Sequence, residues 1–472
     1  MISDGRQREV MPRPLSLAIS AGSRRATSWS PDGSTTPGVK QAWTFPLLLV
    51  LFLWVIVFFD PDVWLASQGA LWARKVPSAL YMVMAALVLT QAATAPRSVW
   101  FLPFLVFMIN ASLTVQFGEN TGVARDLVWK ILLLYYFLAV GSLTFIKSVE
   151  KARLVLLLFL CQFMFLGAQA LTSQTGMGTT SWRPIPWHPI LGNTDSFAPL
   201  MVIGIAFSYY YGLATQAKIA RWVAFLTGLL CVIGMVASYT RGASLAAGIT
   251  VLYVWLRSPR KTKALLWVGV ATTAFFITTN VIYHGGEFWA RLATITSEGT
   301  QAGTGADRWD LWRLGWRVFT ERPIFGVGAG NFGAYTLYHI PADDLLGRYA
   351  LNRWFLYGRV LHNVHLEILV EFGLVGVVTY LWMLVDFWKR NAALRSQPFT
   401  SAWARAMRGR FDLRSLSLGL EAAMIAFLIT GFFYDQLFVH WLYSLLTMNA
   451  LLHATAKRVV LAPPMSLTGA TA

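Results

Sequence analysis

The chain has 472 residues, of which 56% are hydrophobic and 13% are charged. This composition excludes an ordinary soluble domain, in which about a quarter of the residues are charged. The net charge of +17 would suggest a nucleic-acid partner in a soluble protein. In a membrane protein it first reflects the Lys and Arg that collect in cytoplasmic loops, so we expect no nucleic-acid partner. Cys161 and Cys231 both lie in apolar segments, which indicates neither disulfides nor a thiolate metal site.

Residues 1–42 are polar and lack the apolar core of a signal peptide, so we predict a disordered cytoplasmic tail. From residue 43 onward, apolar runs recur whose lengths approach the ~20 residues that a helix needs to cross a bilayer. Because lipid forces backbone polar groups to be satisfied within each span, the pattern predicts an all-α integral membrane protein with about twelve transmembrane helices. The predicted spans are roughly 43–59, 77–95, 98–116, 127–146, 153–172, 196–215, 221–239, 241–256, 264–283, 363–388, 416–434 and 436–454.

The connections between the predicted spans alternate in charge. If the N-terminus is cytoplasmic, the inner connections are basic and nearly free of acid, as the positive-inside rule requires. We therefore predict that both termini are cytoplasmic. A connection as long as the one after residue 283 is usually functional or a small domain, so we expect a periplasmic helical loop subdomain there. The predicted divisions are the spans 1–9 at 43–283, the periplasmic loop at 284–361, the spans 10–12 at 362–455, and a cytoplasmic tail at 456–472.

Two arginines stand out in the shorter outer segments. Arg183 lies among Trp182, Trp187 and His188, with few acids nearby. Arg241, in the sequence SYTRGAS, lies at an outer helix end where the positive-inside pattern disfavours arginine. A guanidinium presents a planar fork that matches phosphate oxygens, so both are candidate ligands of a phosphate group. The alternative for Arg241 is that it snorkels to anionic lipid headgroups.

The long loop begins with an amphipathic pattern from Asp307 to Thr320, which predicts a helix packed on the membrane surface or on the bundle. Arg313 is a candidate phosphate ligand, although its position between acids also favours an ion pair. The glycine-rich run 326–331 lacks the Lys-Ser/Thr ending of a phosphate loop, so it predicts only a turn. The aromatic stripe is Trp309, Trp312, Trp316 and Phe319, and the charged stripe is Asp310, Arg313, Arg317 and Glu321.

The tenth predicted span opens with His362 and Asn363. Asn363 is a plausible helix N-cap, and His362 at the outer mouth suits a general base for a hydroxyl nucleophile. The alternative for His362 is an interfacial histidine satisfied by the backbone. Glu367 and Glu371 follow on one helix face, where they either orient the histidine or form structural ion pairs. The pair His362 and His365 lacks a convincing third ligand, so no metal site is predicted.

Between about residues 192 and 376 the chain resembles the O-antigen ligase superfamily of bacterial envelope glycosyltransferases. The resemblance rests on three motifs around the long outer loop. The last motif fits the pattern of His, then Asn or Ser, then nine residues, then Gly. One segment departs from the family, because GNTDSF stands where a more Asn-Pro-rich stretch is expected, and this weakens the case for Arg183. The motifs are SYTRGAS at 238–244, DRWDLWRLGWRVFTERPIFGVGAGNF at 307–332 and HNVHLEILVEFGLVG at 362–376.

The resemblance implies a twelve-helix bundle in the bacterial inner membrane that transfers a glycan from undecaprenyl diphosphate to the lipid A core. Transfer would take place at the periplasmic face with inversion, and without metal, nucleotide or other cofactor. Carried onto this chain, His362 would activate the acceptor hydroxyl. Arg241 and Arg308 would hold the diphosphate, with Arg183 assisting. The expected partners are therefore the undecaprenyl-diphosphate-linked glycan, the lipid A core oligosaccharide and membrane lipids.

Two other functions are compatible with the sequence. An O-antigen or exopolysaccharide polymerase would use the same donor, but its acceptor would be another lipid-linked glycan. A polysaccharide transporter or flippase would instead need ionisable residues near mid-membrane and matching interrupted helices in two halves of the chain. No repeated halves are evident in the sequence. The motifs favour a ligase, and they leave the sugar and the oligomeric state open.

Overall fold

The computed structural model describes residues 41–91, 101–172, 194–282, 286, 288–290, 292–293 and 303–461. Arg183 and most of both predicted tails lie outside these residues. The described chain is helical and forms no strand, and its isolated β-bridge joins Thr215 and Phe411. The main helices are α1 (Phe45–Phe59), α2 (Pro61–Ser67), α3 (Val76–Thr90), α4 (Leu102–Thr114), α5 (Thr121–Arg125), α6 (Leu133–Phe145), α7 (Val149–Thr172), α8 (Thr194–Ala214), α9 (Lys218–Ala237), α10 (Arg241–Arg257), α11 (Lys261–Ile277), α12 (Gly303–Glu321), α13 (Phe332–His339), α14 (Gly347–Leu351), α15 (Val364–Leu394), α16 (Gln397–Ala406), α17 (Leu413–Thr430) and α18 (Trp441–Leu461).

In the parts of the chain that the structure describes, each predicted span overlaps a helix, and this confirms an all-helical, multi-pass membrane protein. Within the described ranges, 8 helices are long and apolar enough to cross a membrane, or up to 9 if the bent pair α1 and α2 is one span. The expected number of about twelve is therefore not confirmed. The helix at 102–117 is apolar but short, α10 has only 17 residues, and α18 carries polar residues such as Asn449 and His453.

Helix α8 lies at the centre of the bundle, and 94% of its apolar stretch is buried. It packs against α7, α9, α10 and α17. Aromatic side chains fill these contacts, as where the Phe207 ring lies 5.1 Å from the Phe159 ring. Cys231 is buried among these helices and both cysteines are free thiols, as the sequence indicated. This core fixes the ends of α9 and α10, where Arg241 lies.

Helix α15 is broken at Gly373, whose backbone has φ 65° and ψ −164°. The predicted span 363–388 is therefore not one continuous helix. The segment after α12 fills the break, because Leu374 N–H donates to the Pro323 carbonyl at 2.9 Å and Gly328 N–H donates to the Glu371 carbonyl at 2.9 Å. The hydrogen bonds that a continuous helix would form within itself are made instead with the long loop. Residues 364–372, the docked half-helix, are thus attached to that loop.

The long loop has a core of its own, built on α12. Leu311, Leu314 and Val318 are buried against residues such as Tyr349 and Leu361. The predicted amphipathic helix is confirmed, but leucine and valine form its buried face. The aromatic stripe lies beside this face: the Trp312 Nε1–H donates to the Leu361 carbonyl at 2.9 Å, whereas Trp309 and Trp316 are 42% and 57% exposed.

Candidate functional site

The start of the docked half-helix is fixed by two sets of hydrogen bonds. The Asn363 side-chain oxygen accepts from the backbone N–H groups of His365 at 3.0 Å and Leu366 at 3.1 Å, which confirms the predicted N-cap. The Val364 N–H donates to the Gly431 carbonyl at 2.8 Å. His362 precedes the cap with φ 51°, a conformation that costs a non-glycine residue energy and persists only where surrounding contacts enforce it. The histidine is therefore held in a defined position.

The turn from Gly431 to Asp435 follows α17 and joins this histidine to the Arg241 helix. The Tyr434 hydroxyl accepts from the Ala243 backbone N–H at 2.9 Å, in the first turn of α10. Gly242 permits this approach, because a Cβ there would lie 2.9 Å from Phe433 Cβ and 3.0 Å from the Tyr434 hydroxyl. The Arg-Gly-Ala part of the 238–244 motif is thus explained by contact with a turn almost 200 residues later in the chain.

The turn also meets Arg308, whose guanidinium carbon lies 5.9 Å from the centre of the Tyr434 ring, within the range of a cation–π contact. Arg308 lies on α12, so a residue of the long loop reaches the bundle here. Arg241 opens α10 and is half-buried. The Tyr434 turn therefore gathers three predicted site residues, His362, Arg241 and Arg308, at one end of the bundle, which we call the His362 end.

The other candidate arginines are placed differently. The Arg313 guanidinium lies 5.6 Å from the Trp309 ring centre, on another face of α12 from Arg308. Arg317 of the charged stripe forms ion pairs instead, with Glu321 at 3.3 Å and Asp344 at 3.7 Å. His365 lies with its Nε2 3.0 Å from the Leu428 carbonyl oxygen, so its ring is engaged by the backbone of α17. Arg183 lies outside the described residues.

Two carboxyl groups line a cavity of about 540 Å³ beside the docked half-helix. Glu367 is 2% exposed, and Asp435 is the residue after Tyr434. The two side chains come from the docked half-helix and from the Tyr434 turn. The cavity therefore has two carboxyl groups in its wall, whose oxygens can accept hydrogen bonds from hydroxyl groups.

Glu371 holds the glycine-rich turn of the long loop in place. Its carboxylate accepts the Gly330 backbone N–H at 2.7 Å. Glu371 therefore ties the glycine-rich turn 326–331 to the docked half-helix. The sequence suggested that this residue orients the histidine or pairs with an arginine, and this contact is neither. The turn itself binds protein backbone, in agreement with the expectation that it is no phosphate loop.

Tyr434 and Asp435 were not singled out from the sequence. They stand in GFFYDQ, between two apolar runs, where an acid usually indicates only a solvated helix end. The one available signal was an acidic residue in a very short outer connection. Tyr434 contacts α10 and α12, and Asp435 lines the same cavity as the docked half-helix, so their importance follows from elements that lie far away in the chain.

Comparisons with known proteins bear on the class of reaction. Residues 226–381 match a family model described as O-antigen ligase, and this region includes Arg241, Arg308 and His362. Over 365 residues the chain is 23% identical to the teichuronic acid biosynthesis protein TuaE of Bacillus subtilis (strain 168), which covers 74% of this chain and 70% of the relative. Together the matches support glycosyl transfer of the ligase or polymerase type. The resemblance to the O-antigen ligase superfamily is thus confirmed over the segment that carries the site.

Proposed function

We propose that this protein transfers a glycan from undecaprenyl diphosphate to a hydroxyl group of the lipid A core, at the periplasmic face of the bacterial inner membrane. The observation that carries the proposal is the Tyr434 turn, which gathers a histidine and two arginines at one end of a membrane bundle. A base beside two guanidinium groups suits transfer from a diphosphate donor. The orientation rests on the basic connections at the opposite end.

In the proposed reaction, His362 accepts the proton of the acceptor hydroxyl as its oxygen attacks the anomeric carbon. The bond between that carbon and the diphosphate oxygen breaks, and undecaprenyl diphosphate leaves with both electrons, so the anomeric carbon is inverted. Arg241 and Arg308 stabilise the charge that grows on the diphosphate, as preorganised donors do in a site with little water. A positioned base contributes about 10²–10⁴-fold to such a rate.

The two carboxyl groups of the cavity extend this proposal to the acceptor. Glu367 and Asp435 line the cavity beside the docked half-helix, where they can accept hydrogen bonds from sugar hydroxyl groups. The lipid tail of the donor stays in the bilayer while its glycan enters the cavity. Arg183 is a further candidate for the diphosphate, and Arg313, which stacks on Trp309, is a weaker one.

Polymerisation is the second candidate, and the relative named for teichuronic acid biosynthesis favours it. A polymerase would use the same base and the same arginines, but its acceptor would be a second lipid-linked glycan. The two candidate functions differ only in the acceptor, so the identity of the reaction product distinguishes them.

The test is an assay of purified full-length protein with an undecaprenyl-diphosphate-linked glycan and lipid A core. Wild type should form glycan-bearing lipid A core, and His362→Ala should lower the rate at least 100-fold. His339→Ala is the matched control, because His339 is an exposed loop histidine that contacts Glu119 at 2.7 Å. If wild type only lengthens the lipid-linked glycan, it is a polymerase. If folded His362→Ala retains the wild-type rate, the assignment of the base is wrong.

A further inference from the structure

A second cavity lies at the end of the bundle opposite to His362. Helix α10 begins with Arg241 at the His362 end and ends at Arg257, so the loop that follows it lies at the other end. There a cavity of about 380 Å³ opens between α8, α9 and α11. The sequence predicts this end to be cytoplasmic. The site is separate from the proposed transfer reaction and does not depend on it.

The mouth of the cavity is basic. Arg221 comes from the first turn of α9, and Arg260 and Lys263 come from the start of α11. None of the three forms an ion pair with a carboxylate in the described parts of the chain. Ser258 fixes the loop that positions them, since its hydroxyl accepts the Arg260 N–H at 3.2 Å and lies 2.7 Å from the Tyr209 hydroxyl. The mouth is therefore a built cluster of positive charge.

The interior of the cavity is apolar, with one exception. Trp267 forms its wall and packs against Gly228, where a Cβ would lie 2.7 Å from the indole ring. The exception is Ser208, which is 1% exposed and whose hydroxyl has no hydrogen-bond partner among the described residues. A buried hydroxyl without a partner can donate a hydrogen bond to a polar atom that a ligand carries near its apolar part.

A second groove runs beside the first along α11. Its volume is about 660 Å³, and it is lined by mainly apolar residues from Thr262 to Ile277 together with Leu229 of α9. Leu266 and Val270 line both cavities, so they form a ridge between two parallel grooves. Leu266 is 70% exposed at this surface. Over 261–277 the helix rises about 25 Å, which is enough to accommodate an extended acyl chain.

We propose that the two grooves bind one anionic diacyl phospholipid of the phosphatidylglycerol type. Its phosphate lies among Arg221, Arg260 and Lys263, one acyl chain enters each groove, and an ester oxygen accepts from the Ser208 hydroxyl. Basic pockets between transmembrane helices bind anionic headgroups in this way. Ordinary snorkelling of surface cations accounts for the mouth alone, whereas the paired grooves and the buried hydroxyl fit a ligand that has chains as well as charge.

Native mass spectrometry of the full-length protein with added dioleoylphosphatidylglycerol tests the proposal. The double variant Arg260→Gln, Lys263→Gln should bind the lipid about thirtyfold more weakly, because each basic residue near an anionic lipid contributes about fivefold. The matched control is Arg405→Gln, Arg414→Gln, which removes two exposed charges from the same end of the bundle. It should bind within about twofold of wild type. Equal loss in both double variants would overturn the proposal.

A second variant tests the contribution of the acyl chains to binding separately from that of the headgroup charge. Val270→Phe keeps every cation and enlarges the ridge between the two grooves, so that it narrows both. It should therefore also weaken binding at least tenfold, and it provides the test if the charge variant fails to fold. If Val270→Phe binds the lipid as tightly as wild type, the grooves do not hold the acyl chains, and the proposal is wrong. Dioleoylphosphatidylcholine, which has the same chains and no net charge, should bind weakly. If inorganic phosphate at millimolar concentration displaces the lipid completely, the cluster is an anion site without chain recognition, and the proposal is wrong.

Discussion

The hydroxyl of Tyr434 accepts the backbone N–H of Ala243 at 2.9 Å, and this bond joins two parts of the chain that are 191 residues apart. It holds the first turn of α10, and with it Arg241, against the turn that supports His362. We predict that Tyr434→Phe lowers the glycan-transfer rate about tenfold, because an unsatisfied N–H costs about 1–3 kcal/mol and loosens the arginine. The measurement is the initial rate of transfer by the purified variant. Tyr338→Phe, which alters an exposed tyrosine, should retain the wild-type rate.

Arg308 is predicted to bind the diphosphate through a planar guanidinium, which lysine cannot reproduce. Arg308→Lys keeps the charge, so we expect the transfer rate to fall by about 10–100-fold with little change in the thermal midpoint. Arg359→Lys is the matched control, because Arg359 is on the same loop and its Nε–H donates to the carbonyl of Phe355, one helical turn before it. An equal rate for Arg308→Lys and wild type would remove Arg308 from the site.

Gly373 has a backbone conformation that is essentially restricted to glycine. In Gly373→Ala the new Cβ would also lie 2.6 Å from the Phe325 backbone nitrogen. We predict a loss of more than ~3 kcal/mol of stability, seen as a lower thermal midpoint in detergent. Gly409→Ala isolates the backbone effect, because Gly409 has φ 67° and a Cβ added there would meet nothing within 4 Å, so it should cost only about 1–2 kcal/mol. Similar midpoints for the two variants would contradict the close packing at the break.

Asp310 lies on α12, in the long loop, and burial raises the pKa of its carboxyl above the usual value near 3.9, while Arg313 opposes the shift. A carboxyl whose pKa is raised by folding stabilises the protein most when it is protonated, and this contribution is lost as the pH rises through the folded-state pKa. The side chain of Asp310→Asn stays neutral at every pH. The thermal midpoint of this variant should therefore rise relative to that of wild type as the pH increases from acidic to neutral. The measurement is the thermal midpoint of both proteins in detergent across this pH range, and a constant difference between them would contradict the prediction.

The helices could be predicted from the sequence because each signal is local. Apolar runs and a capping residue act within one segment, and so the twelve predicted spans coincide with helices and Asn363 caps its helix as expected. The break at Gly373 could not be predicted in this way. Glycine is common in membrane helices, and what distinguishes this one is a loop segment at 323–328 that supplies the missing hydrogen bonds.

Only part of the site could be predicted from the sequence, again because local signals reveal some residues and not others. His362, Arg241 and Arg308 stand in motifs whose residue types suggest chemistry, so they could be selected one by one. Tyr434 and Asp435 act through partners on other helices, and nothing in their neighbours along the chain shows those partners. The paired grooves along α11 likewise depend on how three helices pack, which no single apolar run encodes.

The interruption of α15 divides one helix between two parts of the protein. Residues 374–394 pack in the bundle as a helix that rises about 31 Å. The nine residues before the break are hydrogen-bonded to the long loop, and Val370 belongs to the apolar core of that loop. The long loop therefore sets the position of Glu367 and Glu371, although both lie on the same helix as the bundle residues that follow. One continuous stretch of chain serves both as a membrane helix and as part of the core of the loop.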